Sequence, residues 1–190
     1  MKVIVAITAA SGAIYARQTV ELLLADQAVE RIALIYSDAA KRVAELEGIT
    51  LPTPDAERVV EYSNDDMFAS VASGSARWDS MIIVPCSVGT LARVATGVSD
   101  SLISRAADVM LKERRRLVMV VRETPLSLIH LRNMITLTEA GAIILPASPS
   151  YYMGVESIEE LALSVSSRAV SMAGGAGNPR EWRGDEQKNN

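Results

Sequence analysis

Short apolar runs suited to β-strands alternate with longer stretches of helical period along most of this chain. Parallel strands joined by crossover helices are buried on both faces, so they are written as continuous apolar runs. The pattern therefore predicts an α/β fold with a doubly wound parallel sheet, covered by helices on both faces as three α/β/α layers. Strands are predicted near 2–8, 31–36, 80–84, 116–121 and 142–145. Helices are predicted near 13–25, 38–47, 87–95, 100–115, 127–140 and 156–172.

The bulk composition limits the class of protein. A chain of 190 residues with 49% hydrophobic and 22% charged residues is typical of one globular domain. With a net charge of -4 we expect no nucleic-acid partner, and no apolar run approaches the roughly 18 residues of a membrane helix. A strand-like run follows Met1 and Lys2 at once, so we expect no signal peptide. With one cysteine and one histidine, we expect a cytoplasmic protein with no metal site and no membrane partner.

Two segments depart from the alternating pattern. Residues 48–65 contain Pro52 and Pro54 and are predicted to form an irregular surface excursion. Residues 173–190 change sharply to glycine and polar residues, which is typical of a disordered tail. Trp182 within that tail favours docking on a neighbouring subunit. The chain is thus predicted to hold a single domain over residues 1–172, followed by the tail.

One buried strand ends in charged residues. The apolar run of strand 116–121 is followed by Arg122 and Glu123, and then by Thr124 and Pro125. In a sheet of order 2-1-3-4-5, ligands bind in the crevice above the carboxyl ends of strands 1 and 3, and strand 4 lies beside it. The charged pair is therefore predicted to form one wall of a ligand crevice.

Two loops rich in small and hydroxyl residues lead into the same crevice. The first loop reads TAASGAIYA, residues 8–16, and the second reads PCSVGT, residues 85–90. Small residues let the backbone amides at a helix N-terminus approach an anion, although neither loop carries the dinucleotide fingerprint or the P-loop motif. Ser87 is equally typical of a helix N-cap. Together with Ser37 after strand 31–36, the loops favour a planar ligand that carries a phosphate.

Several other polar residues leave alternatives open. Arg105, Asp108 and Lys112 share one face of a predicted helix, and this spacing also suits a solvated ion-pair face. His130 is predicted to pack or to lie at the surface. Cys86 has no basic partner nearby in sequence, so inert burial is favoured over a nucleophilic role.

Five stretches carry a family resemblance, namely SGAIYA, ASGS, PCSVGT, RAADVMLKERRRLVMVVRETPLSLIHLRNM and GAIILPA. On these motifs the chain resembles the flavin prenyltransferase family of the UbiX type, from Met1 to about Met172. The resemblance implies a flavodoxin-like, Rossmann-like domain that assembles as a homo-oligomer, usually a dodecamer. It implies an enzyme that joins dimethylallyl phosphate to reduced FMN across N5 and C6. The product, prenylated FMN, then serves UbiD-type decarboxylases in ubiquinone biosynthesis or aromatic-acid metabolism.

The resemblance also assigns site residues. The family's FMN contacts fall on Ala10, Ser11, Gly12, Ser37, Ser87, Val88, Gly89, Thr90 and Arg122. Its prenyl-phosphate contacts fall on Tyr152, Arg168, Lys112 and Arg122, with Arg105 supporting that region. Glu123 is the carboxylate placed to manage protons, and Glu47 matches a further acidic site residue. The assignment implies that cations stabilise the departing phosphate without a metal.

The chain departs from the family pattern at two positions, and two other functions stay open. Ala9 stands where many relatives have glycine, and Gly89 stands where many have a lysine, so a nearby cation is lost.

An FMN-dependent cysteine decarboxylase would need a catalytic histidine and a PxMNxxMW-like motif, whereas this chain has His130 alone and no such motif. A non-catalytic FMN-binding accessory subunit of an aromatic-acid decarboxylase would keep the phosphate loops.

Overall fold

Parallel strands form one sheet in the computed structural model, which describes residues 1–55, 57–152, 154 and 156–177. The strands are β1 Lys2–Ile7, β2 Arg31–Tyr36, β3 Val59–Tyr62, β4 Ser80–Cys86, β5 Arg116–Val121 and β6 Ile143–Pro146. The helices are α1 Ala13–Ala25, α2 Ala40–Leu46, α3 Val88–Ala95, α4 Leu102–Lys112, α5 Leu128–Glu139 and α6 Ile158–Ala173. Two short 3-10 helices, Ser70–Ala72 and Gly74–Ala76, lie between β3 and β4. Within the described residues, no helix combines the length and the apolar composition needed to cross a membrane.

The order of the strands is β3-β2-β1-β4-β5-β6, and each neighbouring pair runs parallel. The direction of winding reverses between β1 and β4, so the crevice above their carboxyl ends is the switch point of the sheet. This order confirms the prediction for the five strands recognised in the sequence, and with it the doubly wound, flavodoxin-like fold class.

The prediction of an irregular excursion over residues 48–65 is wrong at its end, where β3 pairs with β2 as an edge strand. Val59 is buried, but the other three residues of β3 are only half-buried, and Glu61 places a charge among them. A strand of four residues is too short to give a clear periodic signal in the sequence. Its start is fixed by Asp55, whose carboxylate accepts hydrogen bonds from the amides of Arg58 and Val59 at 2.7 and 2.8 Å.

The apolar core lies on both faces of the sheet. Along β1, Ile4 and Ala6 belong to the layer covered by α3, α4 and α5. Val3, Val5 and Ile7 belong to the opposite layer, which α1 and α6 cover. All five side chains are at most 1% exposed, as expected for a central parallel strand. The predicted three-layer arrangement is therefore confirmed.

Helix α5 presents apolar side chains to solvent. Leu128, Ile129 and Ile135 are 62%, 68% and 57% exposed, and together they form what is called here the α5 apolar surface. Leu137, on the other side of the helix, is buried in the core. Neighbouring exposed apolar side chains of this kind are typical of a protein contact surface.

Candidate functional site

The loop between β1 and α1 turns sharply at Gly12. Its φ of 110° lies in the left-handed region, and a Cβ at this position would lie 2.7 Å from two ring carbons of Tyr15. Glycine meets both conditions, because it has no Cβ. The amides of Gly12 and Ala13 donate hydrogen bonds to the two carboxylate oxygens of Glu47, at 2.8 and 2.7 Å. The anion at the N-terminus of α1 is therefore a side chain of the protein itself.

This contact occupies one of the amides of the first loop. The sequence predicted that Ala10, Ser11 and Gly12 would offer backbone amides to the phosphate of a ligand. The Gly12 amide instead binds Glu47, and the Ala10 amide donates to the carbonyl of Thr8 at 2.9 Å. The loop lies at the switch point as predicted, and the roles of Ala10, Ser11 and Gly12 in binding a ligand stay predictions.

Four polar side chains converge at this point of the sheet. Burial raises the pKa of Glu47, but hydrogen bonds at the start of α1 and the charge of Arg122 outweigh burial and hold that pKa below its ordinary value. Burial also raises the pKa of Tyr15, Arg122 opposes this, and Tyr151 and Glu47 add to the increase. Glu47 is thus ionised and Tyr15 protonated near neutral pH. The structure thus places Tyr15 and Tyr151 close to Glu47 and Arg122, the two residues that the resemblance had assigned to the site.

The charged end of β5 lies at the carboxyl edge of the sheet, beside the switch point. The Arg122 amide donates to the carbonyl of Cys86 at 3.2 Å, which joins the ends of β5 and β4. The side chains of Arg122 and Glu123 are exposed. The Glu123 carboxylate accepts a hydrogen bond from the amide of Thr124 at 2.9 Å. Both charges therefore face the crevice edge, not the core.

The second loop is fixed to the first by a buried hydroxyl. Thr8 is 2% exposed, accepts a hydrogen bond from the Ser87 amide at 2.8 Å and donates to the carbonyl of Pro85 at 2.8 Å. Ser87 is the N-cap of α3, accepting from the Thr90 amide at 3.3 Å, as the sequence predicted. Thr8 escaped the sequence analysis, although a hydroxyl at the carboxyl end of an apolar strand is a usable signal.

A cavity of about 380 Å³ opens between these loops and the end of β2, with Ala9, Ser37, Ser87 and Thr90 in its lining. The hydroxyl oxygen of Ser37 is buried, and it has no hydrogen-bond partner in the part of the chain that the structure describes. A buried polar atom without a partner is rare in proteins and points to a ligand. The first-turn amides of α3 emerge from the helix N-terminus beside Ser87. Hydroxyl groups and the free amides of a helix N-terminus both donate hydrogen bonds to phosphate, so this cavity is suited to a phosphate group.

A second cavity, of about 480 Å³, lies between α2 and the chain that follows it, with Tyr36 and Lys41 in its lining. The phenol of Tyr36 donates to the carbonyl of Pro52 at 2.6 Å, and Lys41 pairs with Glu61 at 2.7 Å. These polar groups are satisfied by the protein. Among these residues, the larger cavity therefore has no buried polar atom without a partner to match Ser37 in the smaller cavity.

Lys112 does not reach the crevice within one chain, and Arg105 is held by the Ala72 carbonyl and by Asp108. Helix α4 begins beside the smaller cavity and ends at Lys112, at the edge of the sheet where β5 begins. Six residue steps along β5 separate that edge from Arg122, a span of about 20 Å. Lys112 pairs there with Glu113, and Arg105 pairs with Asp108 at 2.8 Å. Within one chain, this face of α4 is the solvated ion-pair face that the spacing also suggested.

Arg168 and Tyr152, which the resemblance also assigned to the prenyl phosphate, are both exposed. Arg168 lies on the outer face of α6. Tyr152 is 70% exposed, in the segment between β6 and α6.

Comparison with known proteins identifies the family. Residues 1–169 match the family model described as Flavoprotein. The flavin prenyltransferase UbiX of Thermoplasma acidophilum is 42% identical over 175 residues, which are 92% of this chain and 95% of that protein. The chain belongs to the flavin prenyltransferase family.

Two crystal structures resemble this flavin prenyltransferase closely over their whole length. AnUbiX in complex with FMN and dimethylallyl pyrophosphate is 43% identical, with a TM-score of 0.89, covering 96% of this chain and 97% of that one. The dodecameric FMN-dependent UbiX-like decarboxylase from Escherichia coli O157:H7 is 38% identical, with a TM-score of 0.84, covering 92% and 95%.

Gly89 was expected to leave this flavin prenyltransferase without a cation beside its second loop. The structure corrects that expectation, because Arg93 Nη1 donates to the carbonyl of Gly89 at 3.2 Å. The same nitrogen lies 3.6 Å from the position that a Cβ of residue 89 would take. Sequence reasoning missed Arg93, although a cation one helical turn after a small-residue loop is visible in the sequence.

The only cysteine and the only histidine of this flavin prenyltransferase have structural surroundings. Cys86 is fully buried, and burial raises the pKa of its thiol to about 12, so the thiol stays protonated. His130 Nδ1 accepts a hydrogen bond from the Ser127 amide at 3.2 Å, completing a capping box at the start of α5. These contacts agree with the inert roles expected for both residues.

The predicted tail lies mostly outside the described residues. Helix α6 continues to Ala173, and Gly174 ends it with a φ of 96°. The amide of Ala176 donates to the carboxylate of Asp26 at 2.8 Å, so the first residues of the tail pack on their own chain. Trp182 and the rest of 178–190 lie outside the described residues.

Proposed function

We propose that this protein joins the dimethylallyl group of dimethylallyl phosphate to N5 and C6 of reduced FMN, making prenylated FMN. The observation that carries the proposal is the unpartnered Ser37 hydroxyl in a cavity at the same edge of the sheet as Arg122 and Glu47. The AnUbiX structure with FMN and dimethylallyl pyrophosphate supports it, as does the UbiX relative. Reduced FMN supplies the electron-rich ring, and the protein supplies position and charge.

The smaller cavity fits the phosphate of FMN. Ser37 has an unused hydroxyl there, and the hydroxyls of Ser87 and Thr90 lie 3.1 Å apart at the start of α3. The amides of Val88 and Gly89, in the first turn of α3, make no hydrogen bond within the described chain. These groups would hold the phosphate through hydrogen bonds and the positive end of the helix. The flavin ring would then extend across β1 and β4 toward Arg122.

Arg122 supplies positive charge to the departing phosphate of the prenyl donor. The allylic C–O bond would break with its electron pair on the phosphate, while the allyl carbon bonds to N5 and the N5 proton is released. Positive charge already in place where negative charge develops is the usual largest contribution to such catalysis. Closing the new ring adds one proton to the prenyl double bond and removes one from C6, and Glu123 or the phosphate would carry these protons. Glu123 is exposed and accepts one backbone hydrogen bond, so its carboxylate is accessible for this role.

We also propose that Lys112 and Arg105 reach the donor phosphate from a second copy of the chain. The fold places Lys112 at the opposite edge of the sheet from Arg122, and the α5 apolar surface is available for self-association. The Escherichia coli relative is a dodecamer. In this assembly Arg168 and Tyr152, exposed in one chain, would complete the phosphate site.

The wider setting follows from the proposed product. A UbiD-type decarboxylase in the cytoplasm would receive the prenylated FMN. Residues 1–172 would form the catalytic domain, with 173–190 as an appended tail that reaches a neighbouring subunit.

The proposal is tested by anaerobic incubation of the purified protein with reduced FMN and dimethylallyl phosphate, with the diphosphate in parallel. We expect the extracted flavin to gain the mass of one dimethylallyl unit and to change its absorbance spectrum. Glu123→Gln should bind FMN normally but form product more slowly. If the protein binds FMN and returns it unmodified with either donor, it is an FMN-binding accessory subunit and the proposal fails.

A further inference from the structure

The smaller cavity has an unfavourable charge for the ligand it would hold. Asp38, Asp65 and Asp100 contribute to its lining, and Arg93 is the one cationic side chain among the lining residues that the structure describes. A phosphate group carries up to two negative charges, and carboxylates nearby disfavour it. The three aspartates do not form a group that could hold a metal ion, within the residues searched. Neutralisation of a bound phosphate thus depends on Arg93.

Arg93 is held with part of its guanidinium still available. Its Nε donates to Asp100 Oδ2 at 3.3 Å, and its Nη1 donates to the carbonyl of Gly89 at 3.2 Å. Nη2 makes no hydrogen bond to any residue that the structure describes. The side chain is 52% exposed, so a ligand can approach it from the cavity.

The Arg93 guanidinium lies beside Gly89, in the first turn of α3. Long side chains in a helix lean toward its N-terminus, so Arg93 extends back over the first turn of α3. At residue 89 the nearest atom to a built Cβ is Arg93 Nη1, at 3.6 Å, which is ordinary van der Waals contact. The guanidinium therefore lies above the same helix terminus whose amides and hydroxyls face the cavity.

We infer that Arg93 is the residue that anchors the phosphate of FMN and makes the site prefer FMN over riboflavin, an inference that rests on the proposed function. The free Nη2 donates to a phosphate oxygen, and the positive charge partly offsets the three carboxylates of the lining. Asp100 is a positioning residue, because its ion pair directs the guanidinium toward the helix terminus.

The test compares the binding of FMN and of riboflavin to the full-length protein, by quenching of flavin fluorescence. Arg93→Ala should weaken FMN binding on the order of tenfold or more, since it removes a charge-assisted hydrogen bond. Riboflavin, which has no phosphate, should bind as it does to the wild-type protein. Arg31→Ala is the matched control, because it removes an exposed arginine at the opposite edge of the sheet.

A rescue variant distinguishes loss of charge from loss of fold. Gly89 does not need a positive φ, and a side chain fits there, so Gly89→Lys combined with Arg93→Ala returns a cation to the helix terminus. We expect this double variant to recover FMN binding at least in part. Unchanged FMN affinity in Arg93→Ala, or an equal loss for both flavins, would overturn the inference. A wild-type protein that binds neither flavin would instead overturn the proposed function.

Discussion

At the scale of the residue, Glu47 joins two helices that are distant in sequence. It follows the last residue of α2, and its carboxylate accepts both hydrogen bonds from the start of α1. An ionised carboxylate at this position also interacts favourably with the positive end of the α1 dipole. Since its pKa is held below the ordinary value of 4.5, the charged form is the one that stabilises the fold.

We expect Glu47→Gln to lower the free energy of unfolding at neutral pH by about 1 kcal/mol, since the site is partly solvated and an amide still accepts one hydrogen bond. A depressed carboxyl pKa adds stability above the unfolded pKa, and that stability is lost as the pH falls through the folded pKa. The difference between the two proteins should therefore shrink on acidification below 4.5. Urea unfolding at about pH 7 and about pH 3 measures it.

Glu45→Gln provides the control for this prediction, because the Glu45 side chain is exposed on the same helix and makes no hydrogen bond among the described residues. It should change the free energy of unfolding little at either pH. A stability difference for Glu47→Gln that is the same at both pH values would show that the charge is irrelevant.

At the scale of the element, the ends of β1 and β4 are held together by Thr8. Its hydroxyl bonds to both the Pro85 carbonyl and the Ser87 amide, so the first residue of the α3 cap is fixed by a different strand. The smaller cavity lies against this junction. The position of α3 relative to β1 therefore depends on this buried side chain, together with the hydrogen bond from the Thr8 amide to the Pro85 carbonyl at 3.3 Å.

Thr8→Val keeps the shape of the side chain but removes both hydrogen bonds. We expect a loss of about 1 to 2 kcal/mol in the free energy of unfolding, because the Ser87 amide loses its partner, whereas the Pro85 carbonyl still accepts from the Thr8 amide at 3.3 Å. FMN binding should weaken as well, since the α3 terminus is no longer fixed. Urea unfolding and a flavin titration measure the two effects. Thr8→Ser keeps the hydroxyl and should bind FMN like the wild-type protein, and equal FMN affinity in Thr8→Val would contradict the role of the junction.

The strand order was predictable because buried parallel strands give long apolar runs and the crossover rules leave few topologies. The edge strand β3 was not, since half-buried residues around Glu61 carry no clear period. In the site, Ser37 and Ser87 were predictable as hydroxyls at strand ends. The contact of Glu47 with Gly12 spans 35 residues, and nothing local in the sequence indicates it. The family resemblance assigned Lys112 to the prenyl phosphate. It did not indicate whether Lys112 contacts the phosphate in its own chain or in a neighbouring copy.

At the scale of the whole molecule, the fold separates the cations that the proposed reaction needs. Arg122 ends β5 at the carboxyl edge of the sheet, whereas Lys112 ends α4 at the amino edge. A strand of this length cannot bend to bring the two together, so a site that uses both must lie between copies. The α5 apolar surface and the dodecameric relative both favour such contacts.

This arrangement predicts complementation between two inactive variants. Lys112→Ala and Arg122→Ala should each lose most prenyltransferase activity, because each removes one cation from every site. In an assembly formed by co-expression of the two variants, random mixing places an intact Arg122 beside an intact Lys112 in about a quarter of the sites. We expect activity to return to that order, measured as prenylated FMN formed per protein chain.

The control is a chain that carries both substitutions, co-expressed with either single variant. A double variant with Arg122→Ala supplies no intact Arg122, so its mixture with Arg122→Ala should stay inactive. Sedimentation of each mixture shows whether the assembly itself is preserved. If mixed assemblies of normal size stay as inactive as the single variants, both cations act within one chain, and α4 would have to move by about the length of β5 to allow it.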